Sequence, residues 1–256
     1  RFDALMEKTS TFARSLSDTR IIVRTDAYTL DHRYGVNIRG HHLTHSFALA
    51  GSAFFHANHR RIILGADERL DRQFMMHPWG TNTATDFLFD DGRSAIVTDG
   101  DDCSRIEKLR YLRSSREALK ALSFCWNQRL QPQNCGVCAK CLRTNLLFLA
   151  DNGEVPAIFL DERVPNDWLR RLRYWDRAGL VAVSEIFDGA VRNGTELTIP
   201  GYHKAFDEAL GYYRRRRARE RLLRAMRPRS VVRSVRRRLL SGFPNAVDFR
   251  RELTRD

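Results

Sequence analysis

The chain has 256 residues, of which 43% are hydrophobic, and a formal net charge of +13. This length and composition allow a sizeable core, and the absence of any apolar run of about eighteen residues argues against a membrane-spanning helix. The charge does not describe a uniformly basic protein, because residues 214–238 hold thirteen arginines and one acid, Glu220, which leaves the rest nearly neutral.

The first half of the chain alternates helical patterns with short apolar runs. Apolar spacing predicts helices over residues 3–17 and 41–57, and apolar runs predict a buried strand at 21–23 and short strands at 62–65 and 94–97. This order is typical of a parallel α/β sheet. The sequence starts without an initiator methionine or the pattern of a signal peptide. We therefore expect a cytoplasmic protein whose sheet begins with a βα unit upstream of Arg1.

Helical patterns dominate from about residue 104 onwards. They predict helices over residues 104–113, 115–122 and 142–149, the last closed by Asn152-Gly153 as a C-cap. The pattern stays helical beyond Gly153. We expect an α/β core over residues 1–122, a cysteine knob with its helix over 123–153, and a helical region over 154–256.

Four of the five cysteines form a cluster with the spacing Cys125-x9-Cys135-x2-Cys138-x2-Cys141. Zinc takes four ligands in a tetrahedron, and a Cys-x2-Cys pair lets two thiolates reach one ion from a tight turn. Gly136 supplies the backbone freedom of such a turn, and a helix start near Cys141 favours its thiolate. A redox pair needs only two of these cysteines, whereas an iron–sulfur cluster also takes four and stays an alternative. We predict one structural zinc ion, with Cys103 as an ordinary buried residue.

The residues around the cluster carry a resemblance. They are Phe124-Cys125-Trp126-Asn127 and Asn134-Cys135-Gly136-Val137-Cys138-Ala139-Lys140-Cys141-Leu142-Arg143-Thr144. This stretch resembles the C-terminal part of the PP-loop ATP pyrophosphatases, close to relatives of the cyano-deazaguanine synthase of queuosine biosynthesis. Residues 35–50, 78–81 and 99–108 agree with it, as do Asp86 and Leu88, so the resemblance spans roughly residues 2–153.

The resemblance implies a Rossmann-like, HUP-type parallel sheet that is truncated at its N-terminus and carries a zinc knob of four cysteines. It also implies ATP and Mg²⁺ as cofactors, with adenylation of a small-molecule substrate and release of pyrophosphate. The implied substrate or nucleotide contacts are Trp79, Gly80, Thr81, Asp86, Ser104, Arg105 and Lys108. Thr81-Asn82-Thr83 stands where relatives have Ser-His-Pro, and Thr98 stands where they have histidine. These differences concern the substrate rather than the fold.

The family binds ATP through a Ser-Gly-Gly-x-Asp-Ser loop that this sequence does not contain. Such a loop needs glycine because consecutive backbone N–H groups must surround phosphate oxygens. Ala50-Gly51-Ser52 lies in a predicted helix and lacks the paired glycines and the aspartate. We expect the loop upstream of Arg1, so that this chain alone is inactive. The alternative is a non-catalytic, zinc-stabilised module that recruits an acidic partner through its arginines.

Other polar residues allow more than one interpretation. Arg105 and Lys108, spaced i, i+3 at a helix start after a strand, suit a phosphate or a plain solvated helix end. His41 and His45, spaced i, i+4 and next to His42, favour a cleft-lining or surface face over a second metal site. Four acids suit either Mg²⁺ or turns: Asp86, Asp99, Asp101 and Asp102.

The arginine-rich segment from Arg214 to Arg238 allows three roles. It can neutralise nucleic-acid phosphates, lie on an anionic membrane surface, or form a helix pair broken at Pro228 and docked on the body. It has no aromatic side chain for base stacking, so sequence-specific nucleic-acid binding is not expected. We favour a docked or interfacial role.

Overall fold

A computed structural model describes residues 2–23, 49–54, 61–73 and 82–226. They form a mixed helix and strand structure, and the chain divides into two compact units, Arg1–Phe206 and Asp207–Asp256. The elements are α1 Phe2–Leu16, β1 Arg61–Gly65, β2 Ala95–Asp99, α2 Arg105–Arg113, α3 Arg116–Ala121, α4 Ala139–Asn152, α5 Trp168–Arg171, α6 Arg177–Asn193 and α7 Tyr202–Met226. Short 3-10 turns occupy Leu70–Arg72, Thr83–Phe89 and Glu196–Thr198. None of the described helices has the length and hydrophobicity needed to cross a bilayer.

The described sheet has two parallel strands. β1 and β2 pair in a register that runs from Arg61 opposite Ala95 to Gly65 opposite Asp99. This confirms the strands expected at 62–65 and 94–97 and their parallel direction. The strand expected at 21–23 is wrong, because Ile21, Ile22 and Val23 lie outside any helix or strand, with 55%, 51% and 42% of their surface exposed. A β-branched run becomes a strand only where a neighbouring backbone pairs with it.

Side-chain caps fix where the helices after β2 begin. Ser104 and Glu107 form a capping box at α2, in which the Glu107 carboxylate accepts from the Ser104 backbone N–H at 2.7 Å. The Ser115 hydroxyl accepts from the Ala118 N–H at the start of α3. The helices expected over 104–113 and 115–122 are confirmed, as is the helix over 3–17 in α1. Of the helix expected over 41–57, residues 49–54 are helical and the remainder lies outside the described residues.

The core centres on α4, which packs against α2 and α6. Apolar side chains on several faces of α4 are fully buried: Leu142, Leu146, Phe148 and Ala150. The helix is longer than the predicted 142–149 and ends at Gly153, which has the left-handed φ of 82° of the expected C-cap. A helix buried on several faces is a central element rather than a surface one.

Aromatic packing builds the helical region after Gly153. Trp168 is fully buried and donates its indole N–H to the Pro200 carbonyl at 2.9 Å. Its ring lies 5.8 Å from that of Phe187 on α6, which also contacts Tyr202 and Phe206 at 5.2 Å each. The helical pattern expected here is confirmed, whereas the domain boundaries at residues 122 and 153 stay predictions.

Candidate metal centre

The four clustered thiols converge on one point. All four Sγ atoms lie within 4.8 Å of one another, with the Cys125–Cys138 and Cys135–Cys141 pairs at 3.9 Å. Four sulfurs at about 2.3 Å from one central ion would be about 3.8 Å apart along the edges of a tetrahedron. The cysteines can therefore hold a single metal ion, in an arrangement compatible with Zn²⁺. No other such group of three or more His, Cys, Asp or Glu residues occurs in the part of the chain that the structure describes.

Three of the thiols lie on a tight turn and at the start of α4. Gly136 turns the chain between Cys135 and Cys138 with a φ of 82°, and a Cβ added there would lie 1.7 Å from the Asp161 carbonyl oxygen. Both the dihedral angle and the lack of space therefore demand glycine. Cys138 is the N-cap of α4, and Cys141 lies in the first turn of that helix.

Asn134 joins the segments that carry the thiols. This side chain is 1% exposed, and its Oδ1 accepts from the Phe124 backbone N–H at 3.1 Å. Its Nδ2 donates to the carbonyls of Leu122 and Ile158 at 3.0 and 3.4 Å. The amide therefore fixes the stretch of chain that delivers Cys125. Asn134 had no predicted role, although its place directly before Cys135 in the sequence was a signal for one.

The N-terminal helix also holds this region. The Lys8 ammonium on α1 donates to the carbonyls of Leu122 and Pro132 at 2.7 and 2.8 Å. Burial lowers the pKa of Lys8. The two carbonyl oxygens accept hydrogen bonds from the ammonium group, which favours its charged form. α1 is thereby tied to the loop between Cys125 and Cys135.

The thiols differ in their tendency to ionise. Burial acts to raise the pKa of Cys138, but backbone N–H groups of Cys141 and Trp126 outweigh it and lower that pKa to about 7. Burial raises the pKa of Cys135 and of Cys141. A metal ion bound here must displace protons from the thiols of Cys135 and Cys141, so its binding is coupled to pH.

Arg105 and Lys108 are engaged in internal contacts. The Arg105 guanidinium donates to Glu68 at 2.6 Å, and its backbone N–H donates to Glu185 at 2.7 Å. Burial opposes the charge of Arg105, but Glu68 keeps its pKa above the ordinary value. Lys108 donates to the Ala66 carbonyl at 2.8 Å. These cations tie α2 to the loop that follows β1, and their phosphate-binding role stays a prediction.

The remaining candidates are only partly described. Asp86 accepts from the backbone N–H and the hydroxyl of Thr98 at 2.6 and 3.0 Å, which ties a 3-10 turn to β2. Asp101 accepts from the Thr83 hydroxyl. Ser104 is the N-cap of α2. The residues that lie outside the described part of the chain are Trp79, Gly80, Thr81, His41, His42 and His45.

Two further cations lie on α4 beside the thiols. Lys140 and Arg143 are each partly buried, and neither side chain makes a hydrogen bond or ion pair with a residue that the structure describes. Burial, with Arg105 nearby, lowers the pKa of Arg143 to about 10. Burial lowers the pKa of Lys140, and the positive charge of Arg143 lowers it further. No role was predicted for these two residues, although their i, i+3 spacing inside the cysteine motif was a signal for one.

The arginine-rich end of α7 is exposed. Side chains from Tyr213 to Arg221 are exposed around the helix except Arg216, which is half-buried and pairs with Glu220 at 3.1 Å. The exposed arginines are Arg214, Arg215, Arg217, Arg219 and Arg221. The chain beyond Met226 lies outside the described residues.

Comparison with known proteins does not identify a family. No protein-family model matches the chain, and no curated protein or solved structure matches it either. The assignment of a role therefore depends on the residues and contacts described above.

Proposed function

We propose that the four cysteines hold one structural Zn²⁺. The observation that carries this proposal is the convergence of four Sγ atoms within 4.8 Å of one another. Four thiolates complete a tetrahedral shell and leave no open position, which is typical of structural rather than catalytic zinc. The thiolates of an iron–sulfur cluster bind different irons and would be spread more widely around its inorganic core.

Elemental analysis of the purified protein tests the metal. We expect about one zinc per chain. Iron with acid-labile sulfide and a visible absorbance band would contradict the assignment, as would the absence of any metal after purification without chelators. Replacing Cys135 with serine should abolish zinc retention, whereas replacing Cys103 should not.

We further propose that the zinc-braced body belongs to a PP-loop enzyme that adenylates a small substrate and releases pyrophosphate. The proposal is supported by the resemblance around the cysteines and by cations at the carboxyl ends of β1 and β2. Open α/β sheets bind their ligands at that edge. ATP and Mg²⁺ would supply the adenylyl group and balance its phosphate charge. The chain's own cationic residues would then hold and orient the anionic groups.

Pyrophosphate release tests this chemistry. The full-length gene product should release pyrophosphate from ATP in the presence of Mg²⁺ and one member of a panel of carboxylate and carbonyl substrates. No release by zinc-loaded protein that contains a Ser-Gly-Gly-x-Asp-Ser loop, across the whole panel, would contradict the proposal. Zinc content measured on the same sample separates failure of the enzyme from failure of the metal site.

A second function is supported by the exposed arginines of α7. Five exposed guanidinium groups within eight residues make a strongly positive helix surface that attracts an acidic partner. Within residues 214–221 the only uncharged side chain is Ala218, so this part of the helix lacks the apolar face of a membrane-surface helix. Nucleic-acid phosphate is the partner chemistry that this surface fits best.

Binding to a labelled duplex at increasing salt tests this second function. We expect affinity to fall steeply with salt and to weaken further when Arg214, Arg215 and Arg217 are replaced by glutamine. A matched variant in Arg170, Arg171 and Arg173 should bind normally. Equal binding by both variants would exclude the α7 surface, and preferential binding to phosphatidylserine vesicles would favour a membrane partner instead.

A further inference from the structure

Basic residues at the contact between α2 and α4 almost all have acceptors. Arg105 donates to Glu68, Lys108 to the Ala66 carbonyl, and Arg110 to Asp151 at 2.8 Å. Arg113 donates to the Glu154 carbonyl at 2.9 Å. This pairing is expected because a partly buried cation without an acceptor loses its hydration without compensation.

Lys140 and Arg143 on α4 depart from this rule. Their i, i+3 spacing places both on one face of the helix, and both are partly buried. No described acceptor lies within hydrogen-bonding distance of either side chain. An unpaired guanidinium and an unpaired ammonium side by side are unfavourable unless an anion joins them.

The carboxylates near this pair are mostly engaged by other donors. Arg143 lies near enough to Arg105, Glu68, Glu185 and Asp67 to feel their charges, and Asp67 also acts on Lys140. Glu68 is committed to the Arg105 guanidinium at 2.6 Å, and Glu185 accepts the Arg105 backbone N–H at 2.7 Å. Glu68 and Glu185 are therefore already used by Arg105, which leaves the donors of the pair available to a further acceptor.

The position of the pair is set by the cysteine cluster. Lys140 lies between Cys138, the N-cap of α4, and Cys141 in the first helical turn, and Arg143 follows two residues later. The N–H groups of this first turn add positive potential on the same side of the helix. A metal ion held by the thiols would fix the turn and with it the separation of the two cations.

We propose that Lys140 and Arg143 form a binding site for a small oxyanion, the phosphoryl or carboxylate group of a ligand. The planar guanidinium binds two oxygens of either group side by side, and the ammonium adds a compact charge. Sequence spacing indicated Arg105 and Lys108, but those two side chains make internal contacts, whereas Lys140 and Arg143 have no acceptor among the described residues. This site goes beyond the proposed adenylation chemistry and does not depend on it.

Calorimetric titration of the zinc-loaded full chain with inorganic phosphate, and separately with acetate, tests the site. Arg143→Gln should weaken binding at least about 10-fold, as expected for the loss of a charge-assisted hydrogen bond. Lys140→Gln should weaken binding less. The affinity of Arg143→Lys for the anion should lie between those of the wild type and Arg143→Gln. Exposed residues give controls with the same charge change, Arg116→Gln and Lys120→Gln, which should bind as wild type does.

The outcomes separate the possibilities. Tighter binding of phosphate identifies a phosphoryl site, and tighter binding of acetate identifies a carboxylate site. Wild-type protein that binds neither anion overturns the proposal, and so does equal loss of affinity in the α4 variants and the exposed controls. Zinc content and thermal unfolding of each variant show whether it is folded. If Arg143→Gln loses zinc, Lys140→Gln decides the test.

Discussion

The cysteine knob and the two-stranded sheet are built in contrasting ways. In the knob, Cys125, Cys135 and Cys141 are buried, and the Asn134 side chain makes three hydrogen bonds to two separate segments. In the sheet, β1 has one described neighbour, and Ile63 at its centre is 62% exposed. The knob is fixed by many short-range constraints, whereas the sheet depends on a few parallel backbone pairs. Changes in the knob should therefore cost more than equivalent changes beside the sheet.

Removal of the metal should give the largest effect. Cys141→Ser removes one of four ligands from a buried site, and metal binding in such sites contributes directly to folding free energy. We expect loss of zinc and a fall in Tm of about 10 °C or more, measured by scanning calorimetry. Cys103→Ser serves as the control because Cys103 lies outside the cluster. A Cys141→Ser protein with an unchanged Tm would show that the knob does not need its metal.

Gly136→Ala compares the two regions directly. The added Cβ would meet the Asp161 carbonyl at 1.7 Å in a left-handed backbone, so we expect a loss of about 3 kcal/mol or more. Gly92, in the turn before β2, has a similar φ of 77° and nothing within 4 Å. Gly92→Ala should therefore cost only about 1–2 kcal/mol. Denaturant unfolding measures the free energy of unfolding of both variants. Equal losses in the two variants would contradict the contrast between knob and sheet.

Asn134→Ala should give the next largest loss of stability. It leaves the Phe124 N–H and the Ile158 carbonyl without their side-chain partner, whereas the Leu122 carbonyl keeps its hydrogen bond from Lys8. We expect a loss of about 2–4 kcal/mol in the free energy of unfolding. Asn127→Ala, at an exposed position two residues after Cys125, should change it by about 0.5 kcal/mol or less. A small effect at Asn134 would mean that other contacts hold Cys125.

The capping box of α2, next to the sheet, should give the smallest effect and a distinct pH dependence. Hydrogen bonds from the Ser104 side chain and backbone hold the pKa of Glu107 below its usual value. Its carboxylate therefore contributes stability above the unfolded pKa of about 4.3, and this contribution is lost as pH falls through the lower folded pKa.

Glu107→Gln tests this expectation. It should cost no more than about 1 kcal/mol at pH 7, because the carboxylate is exposed and solvent screens its interactions. The difference from wild type should shrink as the pH falls below about 4. Glu117→Gln, in the first turn of α3, is the matched control. Urea unfolding at several pH values measures both variants, and a difference that grows in acid would contradict the assigned role of the cap.

Local chemistry made much of this molecule predictable. Serine caps, a C-cap glycine and apolar spacing act within a few residues, so α2, α3 and the end of α4 follow from the sequence. The same holds for the four cysteines, because their spacing alone allows them to reach one ion. The strand expected at 21–23 failed because pairing depends on a partner that no local pattern reveals.

The tertiary structure decided which of the helical cations have a hydrogen-bond acceptor among the described residues. Arg105 with Lys108 and Lys140 with Arg143 have the same i, i+3 spacing, so sequence treats the two pairs alike. Folding brings Glu68 and the Ala66 carbonyl to the first pair and no described acceptor to the second. By itself the sequence determined the cysteine cluster and the helix ends, which depend on neighbours along the chain. Only the fold decided which charges are neutralised, because acceptors come from residues distant in the sequence.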